Sequence, residues 1–210
     1  MGESIKRIVG PYQDSYSANG IIGEKDACGV GFIANIKGVE SNWILKQSLK
    51  GLNCMEHRGG CGGDSDSGDG AGILCSIPWN YLEKEVNLEN KKDYDKGLGM
   101  IFMPNKKEKI EECKSICEEE AKKLRINKTS WRTVPVNNEI LGPLAKANSP
   151  FISQWILFID KKDNNELEKL LFQLRKRIEK KIRESFKNNV GDCEFYFASL
   201  SSKTVVYKGM

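Results

Sequence analysis

The chain has 210 residues, and its 39% hydrophobic and 30% charged residues indicate one globular domain with a well-solvated surface. Its 33 basic and 29 acidic residues are interleaved, which argues against a nucleic-acid-binding surface despite the net charge of +4. The sequence contains neither a secretory signal nor an apolar run of membrane-spanning length. We therefore expect a protein of the cytoplasm, or of the plastid stroma in a eukaryote, with no membrane partner.

The first 72 residues divide into a leader, a strand, a helix and a loop. Residues 1–27 are polar and aperiodic and are predicted to be a poorly structured leader. CGVGFIANI, from Cys28 onward, is strand-like, and SNWILKQSLKGLNCM is predicted to be a helix capped by Ser41 or Asn42. Seven of the 14 positions from Gly59 to Gly72 are glycine, which indicates a loop whose backbone can approach other groups closely.

The rest of the chain alternates between strands and helices. Amphipathic helices are predicted at about 106–125 and about 164–187, and Ser201 to Lys203 separates the last two strands as in a hairpin. This order predicts an α+β fold in layers. The predicted strands are AGILCSIPW, GLGMIFMP, TSWRTVPV, QWILFID, EFYFASL and TVVYKG.

The seven cysteines are expected to be reduced, because the chain carries no export signal. No C-x-x-C pair indicates a zinc or redox site, so no metal site is predicted. Cys113 and Cys117 stand four residues apart on one apolar helical stripe, and we expect them to be small core residues.

Two other patterns resemble ligand motifs and fail on spacing. A dinucleotide fingerprint at Gly29–Ala34 would have to follow a strand and open a helix, whereas polar residues precede it and a strand-like run follows. The acidic run Asp64–Asp69 matches only the first two positions of a calcium loop. No phosphate-binding P-loop is present.

Cys28 is the candidate nucleophile, and its chemistry depends on removal of the leader. The sole histidine, His57, is a possible base, although a lone histidine at a helix end is more often structural. A free α-amine on Cys28 would have a pKa of roughly 7.7 to 8.0 and could accept the thiol proton itself. Nucleophile and base would then belong to one residue.

Five ordered motifs resemble the amino-terminal glutamine amidotransferase domain of glutamate synthase large subunits, which are N-terminal-nucleophile hydrolases. The similarity extends from about Asp26 to Met210. The long glycine- and aspartate-rich insert and the WRTVPV motif favour glutamate synthase over related amidotransferases that supply ammonia to other synthases. The motifs are DACGVGFIAN, MEHRGG, DSDSGDGAGILCSIPW, WRTVPV and SLSSKTVVYKGM.

The resemblance implies a four-layer αββα fold and self-cleavage between Ala27 and Cys28, after which residues 28–210 would be the first part of the amidotransferase domain. Cys28 would hydrolyse glutamine, and the ammonia would serve glutamate synthesis from 2-oxoglutarate. Arg58 matches the family's active-site arginine and would bind or orient the substrate or hold the cysteine loop, unless it is a surface arginine at a helix end. The Gly59–Gly72 loop would line the approach to the site.

The resemblance also implies groups outside this chain: FMN, a 3Fe-4S cluster, the remaining synthase domains, and ferredoxin or a nicotinamide-dependent small subunit as electron donor. The family's oxyanion-hole Asn-Gly pair and substrate-binding aspartate are expected beyond Met210, so we expect these 210 residues alone to be an incomplete fold that is nearly inactive. Two alternatives stay open: an amidotransferase domain for another acceptor, and a non-catalytic remnant or binding module that keeps its leader.

Overall fold

The structure is a computed structural model that describes residues 29–55, 67–68, 70–86, 94–186 and 195–209. Among the helices of these ranges, none has the length and apolar character needed to cross a bilayer. The elements in chain order are α1 Asn42–Asn53, β1 Ala71–Ser76, α2 Trp79–Glu85, β2 Tyr94–Met103, α3 Lys107–Lys123, β3 Lys128–Thr133, a 3-10 turn Asn138–Ile140, α4 Pro143–Ala147, β4 Phe151–Asp160, α5 Asn164–Ser185, β5 Tyr196–Ser201 and β6 Thr204–Gly209.

A four-stranded antiparallel sheet in the order β3-β4-β2-β5 is the centre of the fold. Its middle strands, β2 and β4, pair along their whole lengths, from Tyr94↔Asp160 to Met103↔Phe151. β2 is an apolar, buried run from Gly97 onward, and β4 is mostly apolar and buried, because both faces of the sheet are covered. Successive side chains of β4 lie on opposite faces of the sheet and pack in different cores. Trp155 lies in the core on one face and Ile156 in the core on the other.

Helices α3 and α5 cover the first face of this sheet. The apolar stripe of α5 supplies five buried side chains, listed as Leu167, Leu171, Leu174, Ile178 and Ile182. Cys113 and Cys117 of α3 are fully buried in the same core, which confirms their predicted packing role. The predictions of both long helices are confirmed to within a few residues.

A two-stranded antiparallel ribbon, β1 paired with β6, packs on the second face of the sheet together with α2. Val205 of β6 is fully buried there, beside Leu98 and Ile156 of the larger sheet. A helix layer, a sheet and a second sheet therefore follow in succession, and α1 contacts β1. The predicted α+β class with antiparallel sheets is confirmed.

Two sequence predictions of strand structure are wrong. β5 and β6 do not form a hairpin, because β5 pairs with β2 while β6 crosses to β1. Glu168 of α5 stabilises the crossing, since its Oε1 accepts hydrogen bonds from the backbone N–H of Ser202 at 2.8 Å and from its hydroxyl at 2.6 Å. Residues 29–36 form no strand, and Val30 and Phe32 are each 94% exposed.

Candidate functional site

The predicted nucleophile Cys28 and the predicted substrate-binding Arg58 lie outside the described residues, as does His57. The structure describes the residues at which their segments begin, Gly29 and Met55. A Cβ atom added to Gly29 would lie only 2.8 Å from Sδ of Met55. The backbone that follows Cys28 therefore packs directly against the end of the helix that leads into the HRGG motif.

Helix α1 places Met55 at this contact. It begins after Ser41, whose hydroxyl accepts a hydrogen bond from the backbone N–H of Ile44 at 3.3 Å, as the predicted capping role requires. At its other end the N–H of Met55 donates to the carbonyl of Leu52 at 3.0 Å, which tightens the last turn. The cap and the final turn together set the helix length and the position of Met55.

An apolar depression of about 290 Å³ lies beside α1, between the ribbon and the second face of the larger sheet. Of the residues that line it, only Tyr207 and Lys208 carry a polar group on the side chain. The lining side chains include Leu49 and Leu52 of α1, Ile73 of β1, Met100 and Phe102 of β2, Val134 and Ile152.

A chain of hydrogen-bonded polar side chains crosses the fold and ends at Tyr207, which lines this depression. Arg132 Nη1 donates to Gln154 Oε1 at 3.0 Å, and Gln154 Nε2 donates to the hydroxyl of Tyr207 at 3.1 Å. On the other side, Arg132 Nη2 donates to the Tyr81 hydroxyl at 3.0 Å and to Glu85 Oε2 at 3.2 Å. These bonds connect α2, β3, β4 and β6.

Burial controls the ionisation of the groups at the ribbon end of this chain. It raises the pKa of Tyr207, and the hydrogen bond from Gln154 offsets only part of that effect. Burial likewise raises the pKa of the Cys75 thiol on β1. Both groups are therefore neutral near pH 7, so Tyr207 offers a hydroxyl hydrogen and Cys75 is a poor nucleophile.

The end of the glycine-rich loop is held at two described points. The N–H of Ala145 in α4 donates to the Ser67 hydroxyl at 3.1 Å, in a buried contact. A Cβ atom on Gly72 would lie 2.9 Å from the carbonyl oxygen of Tyr207, so the close approach of β1 to β6 requires glycine there.

The sequence did not predict that Arg132, Gln154 and Tyr207 are joined by hydrogen bonds. Arg132 belongs to the WRTVPV motif, but its partners come from distant segments. The available signal was Gln154, a glutamine inside a strand predicted to be buried, because a buried amide needs hydrogen-bond partners. Gln154 is fully buried.

Among the residues that the structure describes, no group of three or more histidine, cysteine, aspartate or glutamate side chains is arranged to hold a metal ion. The segment after Gly29 opens no helix until Asn42, which agrees with the rejection of a dinucleotide fingerprint. The aspartates of the rejected calcium pattern lie outside the described residues.

Comparison with known proteins adds a family match to this geometry. The family model for class-II glutamine amidotransferases matches residues 28–210. Similar proteins include a chloroplastic ferredoxin-dependent glutamate synthase of Oryza sativa subsp. japonica, 40% identical over 95% of this chain. Another is the glutamate synthase [NADPH] large chain of Bacillus subtilis, 42% identical over 89% of this chain. The matched region covers 12% of the length of each of these two relatives.

Proposed function

Since the chain belongs to the class-II glutamine amidotransferases, we propose that it hydrolyses glutamine to glutamate and ammonia, with Cys28 as the nucleophile after residues 1–27 are removed. The observation that carries this proposal is the packing of Gly29 against Met55. It supports a site in which the amino terminus of the processed chain and the HRGG segment are neighbours. The match to glutamate synthases over this region supports the same reaction.

The proposed reaction uses both the thiol and the α-amine of Cys28. The Cys28 α-amine accepts the thiol proton, and the thiolate sulfur bonds to the side-chain carbonyl carbon of glutamine. As the tetrahedral intermediate collapses, the carbon–nitrogen bond breaks, and the ammonium group of Cys28 delivers its proton to the departing ammonia. Water then attacks the thioester, releasing glutamate and regenerating the thiol.

Arg58 is proposed to bind or orient the substrate. Glutamine carries a free α-carboxylate, and a guanidinium can donate two parallel hydrogen bonds to a carboxylate. A lysine at this position would keep the charge and lose the paired geometry. We therefore expect Arg58→Lys to raise the KM for glutamine more than it lowers kcat.

The ammonia is proposed to serve glutamate synthesis from 2-oxoglutarate in the complete enzyme, within the cytoplasm or a plastid. FMN and a 3Fe-4S cluster would be held by other domains of that enzyme. The names of the relatives include both ferredoxin-dependent and NADPH enzymes, so either class of electron donor is compatible with this amidotransferase region.

The first test compares ammonia and glutamate release by the complete gene product and by its Cys28→Ala variant. Cys54→Ala is the matched control, because Cys54 is an exposed cysteine at the end of α1. We expect Cys28→Ala to reduce glutamine hydrolysis to the uncatalysed background and Cys54→Ala to leave it unchanged. Hydrolysis that survives in Cys28→Ala contradicts the proposal.

A second test addresses the Gly29 contact. Gly29→Ala introduces a methyl group 2.8 Å from Sδ of Met55, so one of the two segments must shift. We expect a lower kcat/KM for glutamine, partly restored in the double variant Gly29→Ala with Met55→Ala. Equal activity of the single variant and the unsubstituted protein would remove the support that this contact gives.

A further inference from the structure

The hydrogen bonds between Arg132 and Tyr207 have a fixed direction. A guanidinium group only donates, so the contact with Arg132 orients the Gln154 carboxamide with Oε1 toward Arg132. Nε2 therefore faces Tyr207 and donates to its hydroxyl oxygen. Arg132 thus determines how Tyr207 is held, although the two residues belong to different sheets.

The burial of Gln154 makes this arrangement stable. The residue is fully buried, and turning its amide over would place the Nε2 donors against the donors of Arg132. The Tyr207 hydroxyl can donate or accept, so the contact with Arg132 decides the orientation of the amide. Arg132 itself is held by Tyr81 and Glu85 of α2, and its side chain is only 13% exposed. Each link in the chain is therefore constrained by the one before it.

The bond to Tyr207 fixes the ribbon in a way that its apolar contacts do not. Val205 and the half-buried Cys75 pack on the second face of the sheet through non-directional contacts. The hydrogen bond at 3.1 Å between β4 and β6 is directional, as is the one at 3.1 Å from the Val206 N–H to the Ser199 hydroxyl, so both restrict the position of the ribbon along that face.

The position of Tyr207 is transmitted to the beginning of β1. Ile73 is the register partner of Tyr207, and a Cβ atom on Gly72 would lie 2.9 Å from the Tyr207 carbonyl oxygen. A Cβ atom at Gly70 would similarly lie 3.0 Å from the carbonyl oxygen of Gly209. A shift of β6 therefore moves Gly70 and Gly72, at the end of the glycine-rich segment.

We propose that Arg132 is a positioning residue for the glutamine site: through Gln154 and Tyr207 it fixes the β1–β6 ribbon. This ribbon contacts α1, and α1 leads to the contact between Met55 and Gly29. The inference rests on the proposed function, because it concerns access of glutamine to Cys28. It assigns no contact with substrate to Arg132, Gln154 or Tyr207.

The test measures how fast Cys28 is alkylated in the complete, processed gene product by two reagents. A diazoketone analogue of glutamine reacts only when it is bound in the substrate position, whereas iodoacetamide reports the general reactivity of the thiol. Tyr207→Phe removes the end of the chain, and Tyr196→Phe is the matched control on β5, where the ring stacks on Phe102. Peptide mass mapping identifies the alkylated cysteine.

We expect Tyr207→Phe to slow alkylation by the analogue roughly threefold to tenfold, the worth of one hydrogen bond, while the rate with iodoacetamide is unchanged. Tyr196→Phe should react like the unsubstituted protein with both reagents. Gln154→Glu should react with the analogue at close to the rate of the unsubstituted protein, because a carboxylate still pairs with Arg132 and accepts a hydrogen bond from Tyr207. Gln154→Leu should react as slowly as Tyr207→Phe, because leucine can make neither bond.

Three outcomes would overturn the positioning role: an unchanged analogue rate in Tyr207→Phe, an equal slowing with both reagents, or an equal effect of Tyr196→Phe. A different result would count against the proposed function itself. If the analogue fails to alkylate Cys28 in the unsubstituted protein, the nucleophile is wrong, whatever the variants do.

Discussion

The variant Glu120→Gln tests how helices α3 and α5 are held together. This carboxylate of α3 is only 5% exposed. Its Oε1 accepts a hydrogen bond from Lys123 Nζ at 2.5 Å, and its Oε2 accepts one from Arg177 Nε of α5 at 2.9 Å. The variant keeps the side-chain volume and removes the charge that joins α3 to α5.

The expected loss follows from the exposure of the two partners. A buried hydrogen bond to a charged group contributes about 1.5–3 kcal/mol. The side chains of Lys123 and Arg177 are 52% and 46% exposed, so solvent screening reduces each bond to about 1 kcal/mol. We therefore expect Glu120→Gln to lower the free energy of unfolding by about 2 kcal/mol in urea titrations at pH 7. Glu119→Gln, the same change at an exposed neighbour, should stay within about 0.5 kcal/mol.

The pH dependence gives an independent check on the charge of Glu120. Burial raises the pKa of this carboxyl, but the hydrogen bonds and charges of Lys123 and Arg177 outweigh it, so the folded-state pKa lies below the ordinary value. A lowered folded pKa contributes stability above the unfolded pKa of about 4.3, and that stability is lost as the pH falls through the folded value. The difference between the unsubstituted protein and Glu120→Gln should shrink below about pH 4. A difference that is constant from pH 7 to pH 3, or one matched by Glu119→Gln, would refute this reasoning.

Two further predictions concern the ribbon and the core cysteines. Gly72→Ala should lower the free energy of unfolding by about 1–3 kcal/mol, because its methyl group would meet the backbone oxygen of Tyr207 at 2.9 Å. Gly209→Ala, which meets nothing within 4 Å in the same ribbon, should be nearly neutral, and equal Tm shifts for the two would contradict the packing argument. Burial raises the pKa of Cys117 well above its usual value, so iodoacetamide at pH 8 should label exposed Cys54 quickly and Cys117 only on unfolding. Mass mapping that finds Cys117 labelled at the rate of Cys54 would refute its burial.

The long elements could be predicted well, because the burial of their faces gives the apolar residues a regular spacing in the sequence. The stripe of α5 and the apolar runs of β2 and β4 appear in the structure where the pattern places them. Helix α2 was missed because it has seven residues, begins after Pro78 without a side-chain cap and buries only Leu82. A short helix of this kind has too few periodic positions to be distinguished from the end of a strand.

The wrong predictions share a physical cause, which is that strand pairing is decided by distant segments. TVVYKG follows EFYFASL closely enough for a hairpin, yet β6 pairs with β1 more than 120 residues away in the sequence. Val30 and Phe32 alternate as in a strand, but within the described ranges they have no partner strand. Alternation of apolar residues within a segment shows its tendency to form a strand, but it does not show which other strand the segment will pair with.

The candidate site was predicted in part. The family expectation from five motifs is confirmed by the match over residues 28–210. The roles of Cys28 and Arg58 stay predictions, supported by the contact between Gly29 and Met55. The Arg132–Gln154–Tyr207 chain could not be read from the sequence, because its three members meet only when both sheets are assembled.

The most direct measurement is mass spectrometry of the complete gene product isolated from cells, before and after reaction with the diazoketone analogue of glutamine. The account predicts a mature chain that begins at Cys28 with a free α-amine, and a single adduct on the sulfur of that residue. A chain that hydrolyses glutamine with residues 1–27 still attached, or an adduct on another cysteine, would contradict it.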